Sequence, residues 1–178
     1  TFSPMNQEID FRPLRESDIA TLHEWIHRPH VIEWWGDVAG CGTVGETRSK
    51  YLPRLAGDSH VRPHIALLSG GAIGFIQTYV AHRCGDGWWE DETDPGVYGI
   101  DQFLAEGESL GRGLGTRMVS AFVRRLFESR EVTRVQTDPS PRNARAIRCY
   151  EKVGFRALRE VTTPAGLALL MVMDRPAE

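Results

Sequence analysis

The sequence contains no apolar run near the roughly 20 residues that a transmembrane helix needs. Its first residues, Thr1-Phe2-Ser3-Pro4, also lack the basic and apolar blocks of a signal peptide. We therefore expect a cytoplasmic protein. The 178 residues, 41% hydrophobic and 25% charged, predict one globular domain that spans 1–178.

Cysteine is scarce and basic residues are not in excess. Cys41, Cys84 and Cys149 are odd in number, form no close pair and have no metal-ligand spacing among the six histidines. We expect reduced thiols and no metal. The net charge of -3 gives no basic footprint for nucleic acid. Local patterns must therefore identify the partner.

Apolar periodicity predicts a mixed sheet with helices on it. Alternation predicts strands, and three- and four-residue spacing predicts helices. The predicted strands are 8–14, 64–68, 73–80, 97–104, 132–137, 155–161 and 169–173, and the predicted helices are 17–28, 43–55, 113–127 and 143–152. The segment 31–42 is predicted as a loop. This order indicates an α+β or α/β fold whose central sheet is flanked by helices.

A glycine-rich turn, SLGRGLGT (109–116), joins the strand 97–104 to an amphipathic helix. Glycines let successive N–H groups converge, and the helix N-terminus adds partial positive charge, so such a turn can hold a pyrophosphate. Glycines also end strands and pack helices on sheets. The dinucleotide fingerprint and the Gly-Lys-Ser/Thr of a P-loop are both missing.

The turn is followed by a strand that ends at Asp138-Pro139, and then by NARAIRCYEKVGF (143–155). This combination resembles the GNAT acetyltransferase superfamily, with its mixed, mostly antiparallel sheet. The resemblance implies acetyl-CoA as co-substrate, with the turn on its pyrophosphate, the preceding strand along its pantetheine arm, and Tyr150 by the thioester sulfur. The implied coenzyme contacts are Gly111, Arg112, Gly113, Gly115 and Thr116, then Gln102, Phe103 and Leu104, and finally Asn143.

The segment 84–101 carries six carboxylates and no lysine or arginine. Charge runs are usually solvated surface. This one, however, contains Trp88 and Trp89, and a solvated loop has little use for two large apolar rings. With Trp34 and Trp35 they would give flat walls beside carboxylates, which suits a ring-shaped ligand with several positive charges.

Six segments resemble the aminoglycoside 6'-N-acetyltransferases, from about residue 8 to 175: HVIEWWG (30–36), GDGWWE (85–90), ETDPGV (92–97), GIDQ (99–102), QTDPSP (136–141) and RAIRCYEK (145–152). The resemblance implies an aminoglycoside substrate, a 6'-amine acceptor and antibiotic resistance. The implied acceptor residues are Trp34, Trp35, Trp89, Glu92, Asp94, Asp101 and Asp138.

An alkyl ammonium with a pKa near 10 is about one part in a thousand free amine at neutral pH, so a positioned base matters. Asp101 is our candidate base, directly or through water, and Tyr150 our candidate acid for the departing thiolate. A main-chain N–H near Gln102 or Phe103 would polarise the thioester carbonyl. Direct attack in a ternary complex needs no enzyme nucleophile, and Cys149 should point elsewhere on its helix.

Purely structural roles also stay open for these residues. Asp101 could orient or pair charge, Asp138 could end a strand, and Tyr150 could be a packed aromatic residue. Two other functions also stay open. One is acylation of a siderophore hydroxylamine or a protein amine, and the other is an acetyl-CoA sensor without chemistry. The sequence does not distinguish a monomer from a homodimer.

Overall fold

The computed structural model describes residues 7–178 and contains one seven-stranded sheet. The strands are β1 (Ile9–Pro13), β2 (Val61–Leu68), β3 (Gly71–Val80), β4 (Val97–Leu104), β5 (Arg134–Thr137), β6 (Arg156–Thr163) and β7 (Gly166–Asp174). Their order across the sheet is β1-β2-β3-β4-β5-β7-β6. All neighbouring pairs are antiparallel except β4 and β5, which confirms the predicted mixed, mostly antiparallel sheet.

In the described part of the chain, five α-helices flank this sheet. They are α1 (Ile19–Ile26), α2 (Pro29–Ile32), α3 (Val44–Tyr51), α4 (Leu114–Phe127) and α5 (Ala144–Val153). One apolar cluster joins α1 to the sheet through Trp25, Phe75 and Phe103. A second, on α4 and α5, joins Phe122 to residues of β3 and β4 such as Ile76. The sheet is therefore covered on both faces.

Local signals explain where the elements begin and turn. The hairpin between β2 and β3 turns through Ser69 and Gly70, which both have positive φ, as a two-residue hairpin loop requires. Helix α3 begins with a capping box, in which Thr43 Oγ1 accepts from Glu46 N at 3.2 Å and Thr43 N donates to Glu46 Oε2 at 2.7 Å. The hairpin joins the two predicted strands, and α3 begins next to the first residue of the helix predicted over 43–55.

Strands β4 and β5 start side by side and then separate. Their parallel pairing joins Val97 to Arg134, Tyr98 to Val135 and Gly99 to Gln136, where it ends, while β4 continues to Leu104. A crevice at the carboxyl ends of parallel strands is where open sheets with helices on both faces bind ligands. The divergence therefore makes the end of β4 the candidate binding site.

Some predicted bounds are wrong. The segment 31–42 is not all loop, because α2 and a 3-10 turn, Gly36–Val38, shape it. Pro29 occupies the first turn of α2, where its missing N–H costs nothing. The prediction on residues 1–4 lies outside the described residues. Within 7–178, no helix has the length and apolar character to span a bilayer.

Candidate active site

The turn after β4 presents main-chain N–H groups at the start of α4. Gly113 is the N-cap of the helix with φ +79°, and Gly111 has φ +74°. Both values lie in the left-handed region, which other residues adopt only with strain. Neither glycine has another atom within 4 Å of the place where a Cβ would sit, so the turn is open to a ligand. This is the geometry of an anion cradle at a helix N-terminus.

Two side chains that the sequence analysis missed hold the end of β4, which leads into this turn. Arg28 Nη1 donates to the carbonyl oxygen of Ala105 at 2.7 Å and to Glu106 Oε1 at 2.7 Å. His30 Nε2 donates to the carbonyl oxygen of Leu104 at 2.8 Å. The end of β4 is thereby tied to the start of α2. Both partners lie more than 70 residues away in sequence, so local patterns carry no signal of them.

A cavity of about 1110 Å³ runs from this turn along the opened edge of β4. Most residues that the sequence singles out line it. They are Trp34, Trp35, Trp89, Asp101, Gln102, Phe103, Leu104, Gly111, Gly113, Gly115, Thr116, Asp138, Asn143 and Tyr150. One continuous space therefore joins the predicted phosphate end to the predicted acceptor end.

Three of the predicted site residues do not line this cavity. Asp94 Oδ1 accepts from Gly96 N at 2.7 Å and its Oδ2 accepts from Thr133 Oγ1 at 2.8 Å, so this carboxylate fixes a turn. Glu92 Oε1 accepts from the N–H groups of Thr93 and Asp94 at 3.0 and 2.9 Å. Arg112 is exposed to solvent. The structure therefore places Asp94, Glu92 and Arg112 outside the lining of the cavity, and their predicted roles stay predictions.

Asp101 and Asp138 lie together at the acceptor end. Asp101 is on β4, and Asp138 follows β5 directly. Burial, and then the neighbouring Asp101 carboxylate, raise the pKa of Asp138 well above its usual range. Asp101 Oδ2 accepts a hydrogen bond from Gln77 Nε2 at 3.0 Å. The two carboxyl groups therefore line the same cavity but differ in environment, since Asp138 is desolvated and Asp101 accepts a hydrogen bond.

Tyr150 approaches the crevice from α5 and is 4% exposed. Its hydroxyl oxygen accepts from Gln102 Nε2 at 3.3 Å, across the gap where β4 and β5 part. Burial raises the pKa of Tyr150, and the hydrogen bonds from Thr137 and Gln102 only partly oppose this. The phenol thus keeps its proton at neutral pH. It can donate that proton to a group that becomes basic beside it.

Aromatic rings wall the acceptor end. Trp89 has φ +50° and lies parallel to Tyr79, with ring centroids 6.5 Å apart, and Trp88 lies 6.1 Å from Trp89. Trp34 is 40% exposed, whereas Trp35 is buried against Phe103. Within residues 7–178, Trp35 Nε1 is buried and has no hydrogen-bond partner. A buried donor of this kind at a cavity wall suits a ligand acceptor atom.

The phosphate end contains cations that the sequence analysis also missed. Asn143 Oδ1 caps α5 by accepting from Ala146 N at 3.2 Å, which is the reason the helix begins there. Arg145, Arg148 and Lys152 lie on this helix and line the cavity. Their spacing of three and four residues on one helix is the signal that could have identified them, since such residues share a face.

Comparison with known proteins agrees with this geometry. Residues 15–163 match the profile of a family described as acetyltransferase (GNAT) domain. The chain is 52% identical to the aminoglycoside N(6')-acetyltransferase type 1 of Klebsiella pneumoniae over 172 aligned residues. The alignment covers 97% of this chain and 86% of that protein. The chain belongs to the GNAT acetyltransferase family.

Solved structures give the same result. The crystal structure of aminoglycoside acetyltransferase AAC(6')-Ib with coenzyme A has a TM-score of 0.88 at 52% identity, covering 94% of this chain and 95% of that chain. The structure of the same enzyme with coenzyme A and kanamycin has a TM-score of 0.88 at 51% identity, with the same coverage. The sheet described above is therefore a GNAT fold, as the sequence predicts.

The thiols of this GNAT acetyltransferase are poorly suited to a covalent intermediate. Burial, and then the carboxylates of Asp101 and Asp138, raise the pKa of the Cys84 thiol to about 11. Burial also raises the pKa of Cys149, whose Sγ accepts a weak hydrogen bond from Thr116 Oγ1 at 3.6 Å. Since the thiolate is the nucleophile, neither group is activated at neutral pH.

Proposed function

We propose that this protein transfers the acetyl group of acetyl-CoA to the 6'-amino group of aminoglycosides of the kanamycin and tobramycin type, and so inactivates these antibiotics. One observation carries the proposal. A single cavity joins the glycine turn of α4 to the paired carboxylates Asp101 and Asp138. A donor and an acceptor can thus meet without leaving the protein, as direct transfer in a ternary complex requires.

The residues of the phosphate end fit coenzyme A. The open N–H groups around Gly111 and Gly113, with the N-terminus of α4, would hold the pyrophosphate. Gly115 and Thr116 follow in the first turn of the helix, and Arg145 and the Asn143 amide border the same space. Coenzyme A supplies the acetyl thioester when it is bound. The coenzyme A complexes of AAC(6')-Ib support this assignment.

The unpaired edge of β4 fits the pantetheine arm. Beyond Gly99 the main chain of β4 no longer pairs with β5, so Gln102, Phe103 and Leu104 can offer peptide groups to an extended amide. A free N–H near Gln102 would also point toward the thioester carbonyl oxygen. Such a donor stabilises the charge that develops there during transfer.

The acceptor end fits a molecule with several ammonium groups. Asp101, Asp138 and Asp86 supply carboxylates, and Trp34 and Trp89 supply ring faces. Carboxylates attract ammonium groups, while aromatic faces pack on sugar rings and attract nearby cations. Aminoglycosides combine both features. The kanamycin complex of AAC(6')-Ib supports this class of acceptor.

The chemistry follows from Asp101 and Tyr150. Asp101 takes a proton from the acceptor ammonium, directly or through water, and frees the amine. The amine nitrogen then forms a bond to the carbonyl carbon as the carbon–sulfur bond breaks. Tyr150, which is protonated at neutral pH, gives its proton to the departing sulfur. The second proton of the acceptor nitrogen leaves through water, which returns a proton to Tyr150, and Asp101 releases its own proton to solvent.

Thiol release from acetyl-CoA tests this function. The purified protein is offered kanamycin, tobramycin and an aminoglycoside that lacks the 6'-amine. We expect release only with the first two, and expression of the protein should raise the kanamycin concentration that bacteria tolerate. If no thiol is released with any of the three compounds although the protein binds coenzyme A, a siderophore-type acceptor, a protein amine or a sensor function would be favoured. Turnover of a hydroxylamine substrate would separate these.

We also propose that residues 1–178 act as one domain in the cytoplasm, since acetyl-CoA is made and used there. The family profile covers 15–163, which is most of this length. No nucleic acid or membrane is required as a partner, and the proposed chemistry needs no metal. The two small molecules suffice. Chromatography with light scattering would determine whether the active species is a monomer or a homodimer.

A further inference from the structure

Arg54 fixes the orientation of the Gln77 amide. Arg54 Nη1 donates to Gln77 Oε1 at 3.0 Å, and Gln77 Nε2 donates to Asp101 Oδ2 at 3.0 Å. A guanidinium group carries donors only, so the amide oxygen has to face Arg54. The amide NH2 group consequently has to face Asp101. The chain of bonds runs in one direction, from the cation to the carboxylate.

The strand register makes this arrangement rigid. Gln77 on β3 is the direct cross-strand partner of Asp101 on β4, and the side chains of a directly opposed pair lie on the same face of the sheet. Gln77 is 4% exposed and lies between Phe75 and Tyr79 on that face. A buried amide without partners is costly, so both of its ends are committed to these two bonds. Gln77 is a relay with little freedom to turn.

Arg54 is placed by the 3-10 turn Leu52–Leu55, which continues α3. Its guanidinium carbon lies 4.7 Å from the centroid of the Tyr51 ring, which is fully buried. Arg54 also borders the cavity. A cation joined to Asp101 through one side chain would repel a polycationic acceptor at that carboxylate. The hydrogen bond from Arg54 to Gln77 indicates a structural role for this cation.

We propose that Arg54, acting through Gln77, is a positioning residue that keeps the negative charge of the carboxylate pair on Asp101, so that Asp101 and not Asp138 accepts the proton of the acceptor. The proposal rests on the proposed function. Two neighbouring carboxylates resist simultaneous ionisation, and a hydrogen-bond donor favours the charged form of the one it reaches. The amide NH2 group of Gln77 reaches Asp101.

Several titratable groups surround Asp101. They are Asp138 after β5, Tyr79 on β3, Cys84 after β3, Tyr150 on α5, and Arg54, which acts through Gln77. Burial raises the pKa of both tyrosines and of the thiol, so these three stay neutral at neutral pH. Lys50, Asp58, His60 and Asp86 also line the cavity, so these groups contribute to the charge near Asp101 together with Asp138 and Arg54.

The first test is a double-mutant cycle read as a pH profile. We expect Arg54→Met to move the acidic limb of kcat/KM up by about one pH unit, so that kcat/KM falls about tenfold at pH values on that limb, as loss of a hydrogen bond to a charge predicts. Acetyl-CoA affinity should stay unchanged. Gln77→Leu should give the same shift. In the Gln77→Leu protein, Arg54→Met should add nothing, since the relay is already broken.

Two controls separate positioning from folding and from general charge. Arg54→Lys should restore most of the rate, because an ammonium can still donate to Gln77 Oε1. Arg62→Met removes an equal charge from an exposed position on β2 that does not line the cavity, and should leave the profile unchanged. An equal shift of the limb by Arg54→Met with and without Gln77 would overturn the proposal, because Arg54 would then act by its charge alone.

A second readout needs no acceptor. The carboxyl carbon resonance of Asp101, assigned by its loss in Asp101→Asn, is followed against pH by NMR in the free protein. We expect its midpoint to rise in Arg54→Met and in Gln77→Leu, but not in Arg62→Met. An unmoved midpoint would refute the inference even if the enzyme acetylates aminoglycosides. A moved midpoint in a protein that acetylates none of them would refute only the proposed function.

Discussion

The ring of Tyr79 occupies the space beside Gly99 on the neighbouring strand. A Cβ at position 99 would lie 1.8 Å from the Tyr79 Cζ, far inside any van der Waals contact. The two residues are direct cross-strand partners on β3 and β4. The Tyr79 hydroxyl accepts from Gln136 Nε2 at 3.3 Å, and its ring lies parallel to Trp89. The absence of a side chain at Gly99 therefore allows the stacked rings of Tyr79 and Trp89 to lie next to the last paired position of β4 and β5.

Substitution of Gly99 by alanine should consequently disturb both the fold and the site. We expect Gly99→Ala to lower the free energy of unfolding by about 1–3 kcal/mol, the usual cost of overpacking, and to weaken acceptor binding. Gly57→Ala is the control, since that position has no atom within 4 Å of the added Cβ. Urea unfolding measures the free energy of unfolding of the two variants. In a Tyr79→Ala protein Gly99→Ala should cost little, and an undiminished cost there would contradict the steric explanation.

The sheet and helices could be predicted because their signals are local. The strand Val97–Leu104 was predicted with its observed bounds, since its apolar pattern and flanking glycines depend on neighbours in sequence. The turn at Gly111 and Gly113 was predicted for the same reason. Segment 31–42 was predicted less well, because α2 is a single turn and depends on packing of Val31 into the core.

The acceptor site was predicted only in part. Asp101, Asp138 and Trp89 line the cavity as expected, whereas Asp94 and Glu92 fix turns beside it. A cluster of carboxylates looks the same in a sequence whether its oxygens face a ligand or the main chain. Gln77 was missed because one polar residue in an apolar strand has no partner until the register with β4 is known.

Asp101→Asn tests the base. The change keeps the size of the side chain but removes the basic oxygen, so we expect kcat to fall more than tenfold while acetyl-CoA binds as before. Steady-state rates and calorimetry of coenzyme binding check the two halves of this expectation. Unchanged turnover would remove Asp101 from the role of base and leave it as a charge that orients the acceptor.

Tyr150→Phe tests the acid. Loss of the hydroxyl should reduce kcat with little effect on the affinity for the aminoglycoside, because Tyr150 is buried behind the crevice and would act on the departing sulfur. The bond from Gln102 Nε2 is lost as well, so thermal unfolding serves to show that the variant stays folded. Equal rates for the two proteins would assign protonation of the thiolate to water.

Asp94 and Asp86 should behave differently although they lie eight positions apart in one acidic segment. Asp86 lines the cavity, and an exposed ion pair is worth up to about 1 kcal/mol, so Asp86→Asn should raise the KM for kanamycin about two- to fivefold. Asp94→Ala should instead lower stability by about 1 kcal/mol through lost hydrogen bonds, with KM unchanged. A raised KM in Asp94→Ala would return this residue to the acceptor site.

His64 should make the fold sensitive to acid. Its ring packs edge-on to Phe122 with centroids 5.3 Å apart, and burial, with Arg125 nearby, lowers the pKa of His64 from 6.5 to about 4. The folded state therefore binds this proton less readily than the unfolded chain does. Stability is unaffected above pH 6.5 and is lost as the pH falls from 6.5 toward 4.

The expected loss is about 1–3 kcal/mol, because each pKa unit corresponds to about 1.4 kcal/mol and the ring is partly exposed to solvent. His64→Leu removes the titrating group, so its stability should depend less on pH across this window than that of the wild type. Urea unfolding of both proteins at pH 7, 6, 5 and 4 measures the difference, which cancels the contributions of all other titrating groups. Parallel curves for the two proteins would show that His64 keeps its ordinary affinity for the proton in the folded state.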